Sequence, residues 1–137
     1  MSYRGECNCG AVQVKATADP IVQLCCHCLD CQKATGKHFA EIAFFKTESL
    51  SVSGNLDSHD FTSDSGSATQ REYCVECKQV VTDRSAGFPN LTGIMADVLE
   101  PPYRFNPVAH VWCKSKHSET VLEEGIKAFD EGIPARR

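Results

Sequence analysis

Apolar and polar positions alternate along much of the chain with a period of two, which predicts strands rather than helices. In "AVQVKA" (11–16) Val12 and Val14 share one face. "IVQLC" (21–25) follows the turn signal Asp19-Pro20, and "HFAEIAFFK" (38–46) sets Ala40, Ile42 and Phe44 on the face opposite Phe39. "SLSVSG" (49–54) carries Leu50 and Val52 and stops at Gly54-Asn55. "ATQREYC" (68–74) and "QVVTD" (79–83) flank a C-x-x-C and predict a hairpin with that knuckle at its tip. "LTGIMADVL" (91–99) and "AHVWC" (109–113) predict two more strands, separated by "EPPYRFNP", whose three prolines exclude a regular helix or central strand. In "SETVLEEGIKAFD" (118–130) the period changes. Val121, Leu122, Ile126 and Phe129 approach helical spacing behind a capping Ser118, so a short helix is expected there, although Gly125 and Gly132 weaken it. The polar run "DSHDFTSDSGSATQ" (57–70) is expected to be a mobile loop. The whole reads as one domain over residues 1–137, mostly antiparallel β with little helix.

Composition narrows the function classes. Charged residues make up 23% of the chain and the formal charge is −4, with acids and bases interspersed. Without a basic face, binding driven by phosphate neutralisation is not expected, so no nucleic-acid partner is. No apolar run approaches the ~20 residues that span a bilayer, and "MSYRGECNCG" lacks a signal-peptide core. A cytoplasmic protein with no membrane partner is expected.

The cysteines change the picture. Nine thiols in 137 residues is far above ordinary usage, the number is odd, and a reduced compartment disfavours disulfides. They fall as Cys7-Cys9, Cys26-Cys28-Cys31 and Cys74-Cys77, with Cys25 and Cys113 alone. Short C-x-C and C-x-x-C spacings present two sulfurs to one ion, and zinc takes four such ligands in a tetrahedron. Two pairings fit. Cys28-Cys31 with Cys74-Cys77 would make a zinc ribbon and leave Cys7-Cys9 spare. Cys7-Cys9 with Cys74-Cys77 would instead leave Cys26-Cys28-Cys31 as a three-thiolate site with an open position. Spacing favours the second without deciding it. Alternation turns Cys25 away from Cys26, and places Cys113 opposite Trp112 in a strand.

The order of motifs carries a resemblance. G-x-C-x-C-G (Gly5 to Gly10), C-H-C-x-x-C-x-K-x-T-G (Cys26 to Gly36), C-x-x-C (Cys74, Cys77) and H-V-W-x-x-S-K (His110 to Lys116) together resemble the glutathione-dependent formaldehyde-activating enzyme family, which includes the centromere protein V domain. The resemblance implies a β-tent fold stapled by two zinc ions. It implies Cys7, Cys9, Cys74 and Cys77 as a structural site, and Cys26, Cys28 and Cys31 as a second, catalytic metal site. The implied activity is that of a carbon–sulfur lyase joining glutathione, or a similar small thiol, to formaldehyde or another aldehyde. Three thiolates already make a negative unit with zinc, so the second site is expected to be only partly occupied. Two departures stand out: the family commonly has Gly where this chain has Lys78, and a Trp beyond Lys116 where this chain has "HSET".

Other residues are weighed on chemistry. Lys33 and Thr35 continue the cysteine motif and are candidates for holding glutathione, Lys33 through a carboxylate. His27 is expected to be a solvated loop histidine and His38 a strand-start residue. His110 and Trp112 would share one strand face, and Asp57 and Asp60 would be solvated. The readings that compete with the lyase are a non-enzymatic zinc-stabilised binding module and a thiol redox sensor.

Overall fold

The computed structural model describes residues 1–63 and 65–133. Among the described residues, eleven strands and one short α-helix follow in order: β1 (Tyr3–Glu6), β2 (Gln13–Ala16), β3 (Val22–Cys26), α1 (Leu29–Thr35), β4 (Ala40–Lys46), β5 (Leu50–Ser53), β6 (Leu56–Thr62), β7 (Ala68–Cys74), β8 (Val80–Ser85), β9 (Leu91–Met95), β10 (Ala109–Val111) and β11 (Lys127–Ala128). They form a three-stranded sheet, β1-β2-β5, and an eight-stranded sheet, β11-β10-β3-β4-β9-β8-β7-β6. The mostly β expectation holds, with one difference in hand: β10 runs parallel to both β3 and β11. Parallel partners need long connections, and the chain between β3 and β10 supplies one.

Alternation explains which face each strand shows. β4 lies between β3 and β9, and Ile42, Ala43, Phe44 and Phe45 are all buried. A strand covered on both faces reads as an unbroken apolar run, which is why "IAFF" does not alternate. The three-stranded sheet meets the chain just after β9 closely at Gly5, which bridges to Leu99; a Cβ there would lie 2.2 Å from the Val98 carbonyl oxygen. Only glycine permits that approach.

Four expectations are corrected. Residues 118–130 form turns and the short strand β11 rather than a helix. Val121 is 90% exposed while Phe129 packs against the core, so the four residues do not share one buried helical face, and Gly125 adopts φ 84. The segment instead lies along β10, with Phe129 N–H donating to His110 carbonyl at 2.9 Å. The run 57–70 is mostly strand: residues 57–62 belong to β6 and 68–70 to β7, which pair in seven-residue register. As an edge strand β6 is wet on both faces and needs no apolar side. The strand expected over 91–99 stops at Met95 and becomes a 3-10 turn at Ala96–Val98. Finally, β10 ends at Val111, and Trp112 takes a left-handed conformation at φ 58. Alternation therefore does not place His110 and Trp112 on one strand face, nor Cys113 opposite Trp112.

Candidate metal centres

The β1–β2 loop meets the turn between β7 and β8. Cys7 and Cys9 come from the loop, Cys74 from the last position of β7 and Cys77 from the turn, and their four Sγ atoms lie within 4.8 Å of one another. The Cys7–Cys9 edge is 3.6 Å and the Cys9–Cys74 edge 3.7 Å. A tetrahedral ion with ~2.3 Å zinc–sulfur bonds sets such edges at about 3.8 Å, so the donor set fits. Of the two pairings open on spacing, this is the one the fold brings together. Amides point inward: Val12 N–H donates to Cys7 Sγ at 3.3 Å and Cys77 N–H to Cys74 Sγ at 3.5 Å. The Cys7 thiol falls to about 6; burial opposes this, but the Val12 amide and the thiols of Cys9 and Cys74 outweigh it. Cys9 is pushed up to about 12: the Ala11 amide lowers it, but burial and the thiols of Cys7, Cys74 and Cys77 prevail. Sulfurs this close do not all ionise without a cation between them.

Lys78 occupies the position where the resemblance has glycine, and it takes the left-handed conformation at φ 66. Its N–H still donates to the Cys74 carbonyl at 2.8 Å. The knuckle keeps its closure, at a backbone cost of about 1–2 kcal/mol that glycine avoids.

The second group is Cys26, Cys28 and Cys31, again with sulfurs within 4.8 Å of one another. Cys26 is the last residue of β3. Cys28 is the N-cap of α1, its sulfur accepting the Cys31 N–H at 3.3 Å, and Cys31 lies in the first turn. Gly36 closes the helix in the left-handed region at φ 68. Among the described residues no fourth His, Cys, Asp or Glu completes this group. The Cys28 thiol is held well below its ordinary range, first by the Cys26 and Cys31 side chains, then by the Cys31 amide and the Arg71 charge, against burial. Cys26 rises to about 12, chiefly through its contact with Cys28, and Cys31 rises through Cys26, Cys28 and burial. One thiolate is stable here without an added cation; three are not.

A buried ion pair stands beside the triad. Arg71, on β7, donates Nε to Asp83 Oδ2 at 3.0 Å, Nη1 to the Asp30 carbonyl at 2.9 Å and Nη2 to Cys31 Sγ at 3.0 Å. Both charged side chains are buried, and Phe61 lies under the guanidinium at 4.8 Å. Neither residue stood out in the sequence. The signal available was position: Arg71 lies three residues before Cys74, on the face of β7 that also carries Thr69.

The triad borders a cavity of about 320 Å³. Leu24, Ile42, Phe44 and Val111 form its wall, and Phe88 and Trp112 also line it. Cys26 shares its strand face with Val22 and Leu24, as alternation requires. Gly93 lies under this wall, where a Cβ would come within 2.6 Å of Ile42 and 3.0 Å of Phe44.

The remaining candidates fall elsewhere. Lys33 and Thr35 line separate depressions outside this cavity, and Thr35 Oγ1 donates to the Cys31 carbonyl at 2.9 Å. His27 is not solvated: it is fully buried, and its Nε2 pairs with His110 Nδ1 at 2.9 Å. The chain leaves β3 at Cys26, so strand alternation no longer applies one residue later. Burial, then His110 and Lys116, lowers His27 to about 4, which keeps it neutral. Cys25 is buried outside both groups, and burial followed by Glu41 and Glu123 raises it to about 12. Asp57 and Asp60 are exposed on β6. Gln32 ties α1 down by donating to the His27 and Ser115 carbonyls, both at 2.8 Å. Lys116 donates to the carbonyls of His117 and Thr120, and His38 stacks on His117 with ring centres 3.8 Å apart. No helix among the described residues is long and apolar enough to cross a membrane.

A family model described as "Glutathione-dependent formaldehyde-activating enzyme" matches residues 2–115. Among solved structures, the crystal structure of a protein from Rhodobacter sphaeroides is similar, with a TM-score of 0.56 and 23% identity over 72% of this chain and 88% of that chain. At that identity the likeness is one of fold. No curated protein matches the chain.

Proposed function

The chain belongs to the glutathione-dependent formaldehyde-activating enzyme family, and from that premise we propose that it makes and breaks carbon–sulfur bonds between a small thiol and an aldehyde. The working site is the cysteine triad; zinc would be held by both cysteine groups, with the Arg71 charge beside Cys31 favouring occupancy of the triad beyond the partial filling expected from three thiolates alone. The observation that carries the reading is a contrast: one group offers four sulfurs, and the other offers three at the edge of a cavity. Closed metal sites are structural, while sites with an open position bind ligands. That contrast also favours the enzyme over a binding module, for which both sites would be closed.

Zinc in the triad would supply Lewis acidity and hold a thiol sulfur as the thiolate. The chain's own residues do the rest. Cys26, Cys28 and Cys31 hold the ion, and the amide of Cys31 helps keep Cys28 ionised. Arg71 sets a positive charge 3.0 Å from Cys31 Sγ, offsetting the negative excess of three thiolates and making room for an anionic fourth ligand. The apolar wall excludes water, which strengthens these electrostatic contacts. In the forward direction one C–S bond forms, the C=O π bond breaks, and the thiol proton ends on the carbonyl oxygen. The reverse releases thiol and aldehyde.

Magnetisation-exchange NMR on the zinc-loaded chain tests this, with labelled formaldehyde and thiols ranging from glutathione to benzyl mercaptan. Zinc-dependent acceleration over the spontaneous exchange is the result expected. No acceleration with any thiol would overturn the reading.

Arg71→Met separates the residue's two roles. It leaves the Asp83 carboxylate buried without its partner, which costs about 3–5 kcal/mol by thermal or urea unfolding. It also weakens metal binding at the triad by ~10–100-fold in a chelator competition. Arg71→Met with Asp83→Leu recovers the stability and not the metal affinity. Recovery of both would show Arg71 to be a packing residue only.

A further inference from the structure

We infer that the thiol served by the triad carries an uncharged, apolar body rather than the charged arms of glutathione. This rests on the carbon–sulfur reading above and narrows it to a substrate class. Cys26, Cys28 and Cys31 line the cavity together with Leu24, Ile42, Phe44 and Val111, so the carbons attached to a sulfur seated at the triad would meet that apolar wall. At about 320 Å³ the space lies at the small end of small-molecule sites, which run from ~300 to 1,000 Å³.

Charge decides the class. Glutathione brings two carboxylates and an ammonium, and burying any of them unpaired is costly. Among the described residues lining the cavity, the charged side chains are Arg71 and Asp83, and they are committed to each other at 3.0 Å. Arg71 is further engaged by the Asp30 carbonyl and Cys31 Sγ. The hydroxyls that line the cavity each make a local contact, Ser63 with Ser65, Thr69 with the Ser67 carbonyl and Ser85 with the Gly87 N–H, and being neutral they supply no counter-charge for a carboxylate or ammonium. Lys33, which could have met a carboxylate, lines a different depression. Among the described residues, what remains for a ligand is mostly aliphatic and aromatic surface. Branched or aromatic thiols of low polarity, free or as their aldehyde adducts, match it.

Trp112 is the only tryptophan in the chain and lines this cavity, so its fluorescence reports occupancy without any turnover. The zinc-loaded chain is titrated with benzyl mercaptan, glutathione and ethylbenzene, the last being the same apolar body without sulfur. Benzyl mercaptan is expected to saturate the signal at concentrations lower than glutathione by about tenfold or more, with ethylbenzene binding more weakly than benzyl mercaptan. Phe88 is 50% exposed, so Phe88→Ser tests the wall with little risk to folding. It is expected to weaken benzyl mercaptan and ethylbenzene by roughly threefold to tenfold and to leave glutathione unchanged. Glutathione binding as tightly as benzyl mercaptan would overturn the inference and leave the carbon–sulfur reading standing. Ethylbenzene matching benzyl mercaptan would keep the apolar cavity and remove the role for sulfur. If none of the three moves Trp112 emission, the inference falls, and the exchange measurement above alone decides the carbon–sulfur reading.

Discussion

Cys74→Ser is expected to leave a chain that does not fold. Cys74 is fully buried at the end of β7, and its sulfur lies 3.7 Å from Cys9 in the β1–β2 loop. The group it belongs to joins that loop, next to the three-stranded sheet, to the β7–β8 turn of the eight-stranded one. Apart from this staple, the β1 end is tied to the segment after β9 by the Gly5–Leu99 bridge and the Glu100 N–H to the Arg4 carbonyl. Structural zinc in small peptides contributes ~10–16 kcal/mol at neutral pH. A whole domain has a net stability of only ~5–15 kcal/mol. Losing the ion therefore removes an amount comparable to everything the fold has. The variant should show no cooperative thermal transition, and a strong chelator should do the same to the unmodified chain. A variant melting cooperatively within a few degrees of the parent would show that the four sulfurs are not a structural metal site.

Cys28→Ser should act in the opposite way, abolishing function while leaving the fold. Cys28 is at once a triad sulfur and the N-cap of α1, accepting the Cys31 amide. Serine is among the best N-cap residues, so the hydroxyl keeps the helix start. It is a poor partner for zinc, so one of the two ions should be lost. Outer-shell changes alone cost ~10–100-fold in metal affinity or activity, so removing a ligand should lower the thiol–aldehyde exchange by more than ~100-fold. Cys25→Ala, one residue from Cys26, is the control: its thiol is buried outside both groups, and both ions and the exchange should be retained. Full exchange in Cys28→Ser would move the chemistry away from the triad.

Much of this was readable from alternation. The strands that cover the core, from "AVQVKA" to the hairpin around Cys74 and Cys77, show their faces through period-two patterning, because one side meets apolar neighbours and the other meets water. The same rule sets Cys26 beside Leu24 and Cys25 opposite. Patterning fails where burial is not what holds an element. β6 is held by its ladder to β7 and has no dry face. α1 is a single short helix started by a cysteine sulfur, a cap that propensity rules do not anticipate. β11 borrows its place from β10, and the apolar residues around it mimic helical spacing although Phe129 packs on the core and Val121 is left exposed. His27 escapes the alternation rule because β3 ends one residue before it. The Arg71–Asp83 pair and the cavity are long-range features, assembled from β7, β8, β3 and β4, and no local stretch of sequence encodes them.

Zinc per chain, measured by plasma mass spectrometry on protein purified reduced and without chelator, bears most directly on the claim of two separate cysteine sites. Two zinc ions in the parent chain and one in Cys28→Ser, with the fold retained, is the result this account predicts. A single zinc in both would contradict it, leaving one structural ion and a triad of unassigned thiols.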